Sequence, residues 1–286
     1  MLEGKPKIIA IVGPTGSGKT ALAVRLARMV SGELVSADSR QVYRGMDIGT
    51  GKEMALDIPH HLIDVVSPDE DFTLADFLDR AKRVIADIHA RGRVPIVVGG
   101  TGLYVQALVE NWDIPAVKPD PALRAELEKK SVAELQKELA AIDTEEAGRL
   151  GAGKRYLIRA LEMWHATGRK PSALKKKNEP LYDALMIGID IPRAELYARI
   201  DARVDGMFAR GLVDEVRGLL KKYPADLPAF RTIGYKEIIN QIVAAEGHPV
   251  LSSVSEPERA WSPARPDERG RDTTSARLAG ASDSCL

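Results

Sequence analysis

Apolar positions fall into two patterns along this chain. Ile8-Ile9-Ala10-Ile11-Val12 and Val94-Pro95-Ile96-Val97-Val98 are unbroken apolar runs that read as strands buried on both faces. Glu33-Leu34-Val35-Ser36 reads as a second short strand, and Ala184-Leu185-Met186-Ile187-Gly188-Ile189 as a late one. Between them apolar residues recur at helical spacing: Leu74, Phe77, Leu78, Ala81, Val84, Ile85 and Ile88 predict an amphipathic helix ending near Gly92. The alternation predicts an α/β fold, a parallel sheet flanked by helices and joined by right-handed crossovers.

Near Ile114-Pro115 the texture changes. Residues 116–183 carry helical patterns, such as Leu123–Leu127 and Tyr156–Leu161, without convincing strands, and are expected to form a helical insertion. After the late strand, one long helix is expected through about Tyr223. The expected division is a core of 1–115 and 184–246, an insertion lobe of 116–183, and a tail of 247–286. In the tail Ser, Pro, Arg, Asp and Glu dominate and apolar periodicity is lost. Such a composition buries too little surface to offset the entropy of ordering, so disorder is expected there.

Composition narrows the class. Of 286 residues, 44% are hydrophobic and 29% charged, as in a soluble globular protein. A single cysteine, Cys285, excludes disulfides and a cysteine-based zinc site within the chain. No apolar run approaches the ~20 residues that span a bilayer, and Met1-Leu2-Glu3-Gly4 leads directly into the first strand, so no signal peptide and a cytoplasmic location are expected. The 41 basic and 41 acidic residues balance, which argues against indiscriminate nucleic-acid binding but not against a local basic patch.

The chemistry lies in the loops after the strands. Gly13-Pro14-Thr15-Gly16-Ser17-Gly18-Lys19-Thr20 fills the pattern G-x-x-x-x-G-K-[ST] between a strand and a run of good helix formers. That setting directs backbone N–H groups at a phosphate chain, brings Lys19 to the terminal phosphates and lets the Thr20 hydroxyl ligate Mg²⁺. The fold is therefore expected to be of the P-loop NTPase kind. In open α/β sheets ligands gather at the carboxyl ends of strands, so loops 13–20, 37–45 and 99–104 should converge on one site. Phosphate geometry alone leaves Asp38 as an outer partner of a metal, a general base or a strand-end cap.

Further motifs make the reading specific. Ser36-Ala37-Asp38-Ser39-Arg40-Gln41-Val42-Tyr43-Arg44-Gly45-Met46-Asp47-Ile48-Gly49-Thr50-Gly51-Lys52 is followed by Pro59-His60-His61-Leu62-Ile63-Asp64 and by Gly99-Gly100-Thr101-Gly102-Leu103-Tyr104. Lys154–Glu162, Gly211–Val216 and Arg231–Glu237 complete the series. In this order the set resembles the bacterial tRNA dimethylallyltransferases, or tRNA isopentenyltransferases, across about residues 5–246.

The resemblance implies transfer of a dimethylallyl group from dimethylallyl diphosphate to N6 of the adenine 3′ to the anticodon, in tRNAs reading codons that begin with U. It implies Asp38, Thr101 and Lys19 as catalytic residues, Mg²⁺ as cofactor and the anticodon arm of tRNA as partner. Asp38, Ser39, Arg40, Gln41, Thr101, Arg124, Arg155 and Arg159 are the implied tRNA-contacting positions. Diphosphate is the leaving group, so the phosphate loop should stabilise its growing charge. A carboxylate is far too weak a base to deprotonate adenine's amine in advance, so Asp38 would take the proton as the C–N bond forms. A monomer and no membrane association are expected. Transfer to free adenine nucleotide and a P-loop small-molecule kinase are the enzymatic rivals, and a non-catalytic RNA-binding remnant is a third. The family also continues beyond the helix of 233–246 into a basic C-terminal helix, a pattern absent from the tail here.

Other residues have plainer readings. His60 and His61 are adjacent on a strand and point to opposite faces, which favours packing over a metal. Trp112 and Trp164 are expected to pack between lobes. Arg169-Lys170 and Lys175-Lys176-Lys177 are either phosphate contacts or a solvated charge run, and Lys236 and Glu237 either a helix-surface pair or part of a motif, Arg231–Glu237, that lines the active-site mouth.

Overall fold

In the computed structural model the described residues are 4–52, 57–115, 117, 120–174 and 176–245. The predicted tail 247–286 and Lys175 lie outside them. The apolar runs form β1 (Lys7–Val12), β2 (Gly32–Ser36), β4 (Val94–Val98) and β7 (Asp183–Gly188), joined by a two-residue β3 (His60–His61). They make one parallel sheet in the order β3-β2-β4-β1-β7. Alternation along each strand sends side chains to opposite layers. Ile8, Ala10, Val35 and Val97 pack with Phe77 and Ile85 of α2 (Leu74–Ala90) and Leu108 of α3 (Gly102–Val109). Ile11, Leu34 and Ile96 pack with Ala23 and Ala27 of α1 (Lys19–Val30) on the other side. The predicted three-layer α/β architecture is thus present.

The helical region folds around its own core. α4 (Pro121–Lys129), α5 (Val132–Ile142), α6 (Thr144–Leu150) and α7 (Lys154–Thr167) bury Leu127, Leu135, Leu139, Leu157 and Leu161 together, and the short α8 (Pro171–Leu174) follows. Local signals set their ends: Asp120 caps α4, Ser131 and Glu134 form a reciprocal capping box on α5, and Asp143 caps α6. One expectation fails here. Lys176–Lys177 (β6) pairs antiparallel with Trp112–Asp113 (β5), fastening the exit of the region to its entrance. A two-residue pairing is too short to leave a periodic signal.

The single long helix expected to reach Tyr223 is two helices, α9 (Arg193–Ala209) and α10 (Leu212–Leu220). Gly211 divides them in a left-handed conformation, φ 93°, which glycine adopts without a Cβ clash. A 3₁₀ turn (Pro228–Arg231) and α11 (Tyr235–Ala245) follow. These elements bury Met207, Leu212, Val216, Phe230 and Tyr235 against Val42, Tyr43 and Met46 of the loop after β2. Glu237 is no partner of Lys236; it accepts the Gly234 N–H at 2.6 Å. Among the described residues no helix is long and apolar enough to cross a membrane.

One charge sits in the sheet layer. The Glu33 side chain, 4% exposed, meets His61 and Arg91 at 2.7 Å each and Arg93 at 3.5 Å. Burial pushes the Glu33 carboxyl up, but hydrogen bonds from His61 and Arg91 bring it below the ordinary glutamate value. His61 is thus a hydrogen-bond partner of Glu33. A depressed carboxyl contributes stability above its unfolded pKa and loses it as pH falls through the folded one. Acidification from neutral pH should therefore lower the urea midpoint of the parent protein more than that of Glu33→Gln. Equal falls in the two proteins would refute this linkage.

Candidate functional site

The sheet order sets β2, β4 and β1 side by side, so the loops leaving their carboxyl ends are neighbours. The first loop makes a cradle. Gly16 and Gly18 are left-handed, with φ 82° and 85°, and Gly18 caps α1, turning the first N–H groups of that helix toward the loop. Lys19 is buried, and its Nζ donates to the Pro14 carbonyl at 2.7 Å. Burial lowers the Lys19 pKa, Asp38 opposes the shift and Arg203 reinforces it. The Ser17 hydroxyl is buried with no hydrogen-bond partner among the described residues, and Thr20 is half-buried in the first helical turn. An unsatisfied buried hydroxyl and a desolvated cation beside a helix N-terminus form a site that a phosphate would complete.

The second and third loops are stitched together. The Thr101 N–H donates to the Ala37 carbonyl at 3.1 Å. The Ser39 N–H donates to Thr101 Oγ1 at 2.9 Å, and that hydroxyl lies 3.2 Å from Ser39 Oγ. Asp38 Oδ1 accepts from the Arg40 N–H at 2.8 Å and the Gln41 N–H at 3.3 Å. The cap reading of Asp38 is therefore satisfied by one oxygen. Its other oxygen, Oδ2, turns toward Gly100, where a Cβ would lie 3.1 Å away. Lys19, Asp38 and Thr101 are thus gathered at one end of the sheet.

Other predicted positions have partners of their own. Gln41 accepts from Ser36 Oγ at 3.2 Å, and its amide donates to the Thr50 and Gly51 carbonyls at 3.3 Å each. Its amide is thus spent on its own loop. Ser39 and Arg40 are half-buried. Arg124 makes a bidentate pair with Glu162 at 2.9 and 2.7 Å, and Arg159 reaches the same carboxylate at 3.4 Å and the Val117 carbonyl at 2.8 Å. Arg155 is exposed on α7, four residues before Arg159, and takes no part in that pair. Lys177 pairs with Glu110 at 2.6 Å and lies over the Trp112 ring, whereas Trp164 meets His165 edge-on.

Sequence reasoning expected a helix here but missed that α9 lies against the site. A Cβ at Gly16 would meet Ile200 at 3.1 Å, one at Gly18 would lie 4.0 Å from the Arg199 guanidinium, and one at Gly51 would overlap that of Arg203. Arg203 is half-buried, acts on Lys19 electrostatically and is paired with no carboxylate among the described residues. The signal was available: Arg199 and Arg203 are four apart on a helix, hence on one face. Their approach to loops far earlier in the chain, Arg199 to Gly18 and Arg203 to Gly51, left no trace in the sequence.

A family model described as IPP transferase matches residues 41–256, and one described as isopentenyl transferase matches residues 6–60. The chain is 49% identical over 248 residues to a tRNA dimethylallyltransferase of Thermomicrobium roseum, covering 84% of this chain and 75% of that protein. It is 50% identical over 238 residues to that of Chloroflexus aurantiacus, covering 80% of each. Among solved structures, the full-length tRNA isopentenylpyrophosphate transferase of Bacillus halodurans is 42% identical with a TM-score of 0.61, covering 84% of this chain and 78% of that one. A eukaryotic dimethylallyltransferase described as acting on tRNA gives a TM-score of 0.72 at 30% identity, covering 84% and 64%.

The stitch between the two loops depends on Gly99, where a Cβ would lie 2.2 Å from the Ala37 carbonyl oxygen. Gly99→Ala must separate backbone from backbone, and a cost of about 1–3 kcal/mol is expected from overpacking. Chemical denaturation measures it; an unchanged midpoint would show that the loops do not need this approach.

Proposed function

The chain belongs to the tRNA dimethylallyltransferase (IPP transferase) family, and from that premise we propose that it prenylates N6 of the adenine 3′ to the anticodon in tRNAs reading codons that begin with U. Dimethylallyl diphosphate is the donor. The observation that carries this reading is the gathering of Lys19, Asp38 and Thr101 at the ends of three adjacent strands.

The diphosphate occupies the loop Gly13-Pro14-Thr15-Gly16-Ser17-Gly18-Lys19-Thr20. Its oxygens satisfy the unpartnered Ser17 hydroxyl and accept from Lys19, and Arg203 of α9, close enough to act on Lys19 electrostatically, neutralises further charge. These groups stabilise negative charge as the allylic C–O bond breaks. Among the described residues no group of three His, Cys, Asp or Glu offers a protein cage for a metal. The donor set fits Mg²⁺ carried mainly by the diphosphate and ligated by the Thr20 hydroxyl, as is usual for this ion. Mg²⁺ so bound supplies charge neutralisation of the leaving group.

Asp38 is the general base. Two backbone N–H groups fix Oδ1, and Oδ2 accepts a hydrogen bond from N6 and takes its proton as nitrogen bonds to the allylic carbon. Thr101, held by Ser39, orients the incoming adenosine or the diphosphate. Adenine reaches this point by leaving the stack of the anticodon loop, at a cost of a few kcal/mol. Asp38, Ser39, Arg40 and Thr101 contact the extruded nucleotide and its neighbours, while Gln41, expected to join them, instead holds the loop behind them. Arg124, Arg155 and Arg159 contact the anticodon arm, with 116–183 as the tRNA-binding lobe and 1–115 with 184–246 as the catalytic core. The protein acts as a cytoplasmic monomer.

Radiolabelled dimethylallyl transfer should reach unmodified tRNA and not AMP. Transfer to AMP would favour the free-nucleotide activity, and ATP consumption without prenylation a kinase. In single-turnover assays Asp38→Asn should slow transfer by about 10²–10⁴-fold; near-normal turnover with saturating substrates would remove the general-base role. Arg203→Gln should raise KM for dimethylallyl diphosphate by about tenfold or more, the scale of a charge-assisted hydrogen bond. An unchanged KM would exclude it from the diphosphate site. Affinity for tRNA should fall as salt rises, and a flat dependence would eliminate the phosphate contacts.

A further inference from the structure

The loop after Asp38 is held from behind by a single carboxylate on α10. Glu215 Oε2 accepts from the Asp47 N–H at 3.1 Å and the Ile48 N–H at 2.7 Å, and Oε1 from the Gly49 N–H at 3.3 Å. The Tyr235 hydroxyl donates to the same Oε1. Tyr235 is fully buried. Burial and the Glu215 carboxylate push its hydroxyl far above the ordinary tyrosine value, so it stays a donor. Its ring lies so close to Gly49 that a Cβ there would be 2.4 Å from it. Three backbone donors and a phenol thus converge on one anion, an arrangement worth more than the same bonds to a neutral acceptor.

The far side of this loop faces the chemistry. Gly51, left-handed at φ 64°, lies directly under the Arg203 guanidinium. The Thr50 and Gly51 carbonyls hold Gln41, whose own N–H is bonded to Asp38. Arg203 in turn acts on Lys19. A short relay therefore runs from Glu215 through residues 47–51 to Arg203 and Asp38.

We propose that Glu215 and Tyr235 are positioning residues: they staple loop 47–51 in the place that aims Arg203 at the diphosphate, without touching substrate themselves. The proposal rests on the diphosphate reading given under Proposed function. A glutamine at 215 keeps one acceptor but turns an N–H₂ group toward backbone donors, so it should release the loop, while Tyr235→Phe removes one bond and keeps the ring.

Calorimetry with inorganic pyrophosphate and Mg²⁺, steady-state transfer and thermal melting on the full chain test this. Glu215→Gln should weaken pyrophosphate binding and raise KM for dimethylallyl diphosphate by about tenfold, with kcat less affected, and Tyr235→Phe by about threefold. Acetate added to Glu215→Ala should restore most of the pyrophosphate affinity, a recovery that a merely destabilised fold would not show. Unchanged affinity and KM in both Glu215→Gln and Tyr235→Phe would overturn the proposal, as would losses that track melting and ignore acetate. If the parent protein binds pyrophosphate but prenylates no tRNA, the functional reading fails, while the affinity comparison still decides the staple.

Discussion

The close approach of Gly99 to the Ala37 carbonyl is the contact on which the site depends. It lets the backbone after β4 lie against the backbone after β2, so that Thr101 can donate to Ala37 and receive the Ser39 N–H. Asp38 lies between these two bonds, with one oxygen committed to its own turn. A side chain at residue 99 would force the loops apart, and Asp38 and Thr101 would no longer answer to the same geometry. The sheet order supplies the third partner by bringing β1, and with it Lys19, beside β4.

Around this centre the structure uses buried charge to fix loops rather than to add bulk stability. Lys52, 4% exposed, joins the Tyr43 carbonyl, Asp47 and Asp64. Glu215 gathers the amides of residues 47–49. A buried ion pair seldom contributes much net stability, because desolvation offsets the attraction, but removing one partner is costly. Such pairs therefore restrict where a loop can lie. That restriction fixes the loop that lies under the Arg203 guanidinium.

The helical region follows the same logic. Glu162, almost wholly buried, holds Arg124 and Arg159 in a fixed relation, each guanidinium still partly open to solvent. Long arginine side chains lose considerable rotamer entropy on binding; here a carboxylate from their own lobe has already ordered them. The same pairing reduces their net charge, so a phosphate partner would meet oriented donors more than a strong field.

What could be read from the chain alone was local. Unbroken apolar runs identified β1 and β4, shorter apolar stretches identified β2 and β7, and a glycine pattern between strand and helix identified the phosphate loop, because all depend on residues adjacent in sequence. The motif series extended this to Asp38 and Thr101. Tertiary structure decided the rest. The β5–β6 clasp, the turn of α9 over the phosphate loop and the convergence of three amides on Glu215 all depend on residues brought together from distant segments. Hydrophobic periodicity reports which face of an element is buried, but not which element lies against it, and Arg203 becomes part of this site only through that second fact.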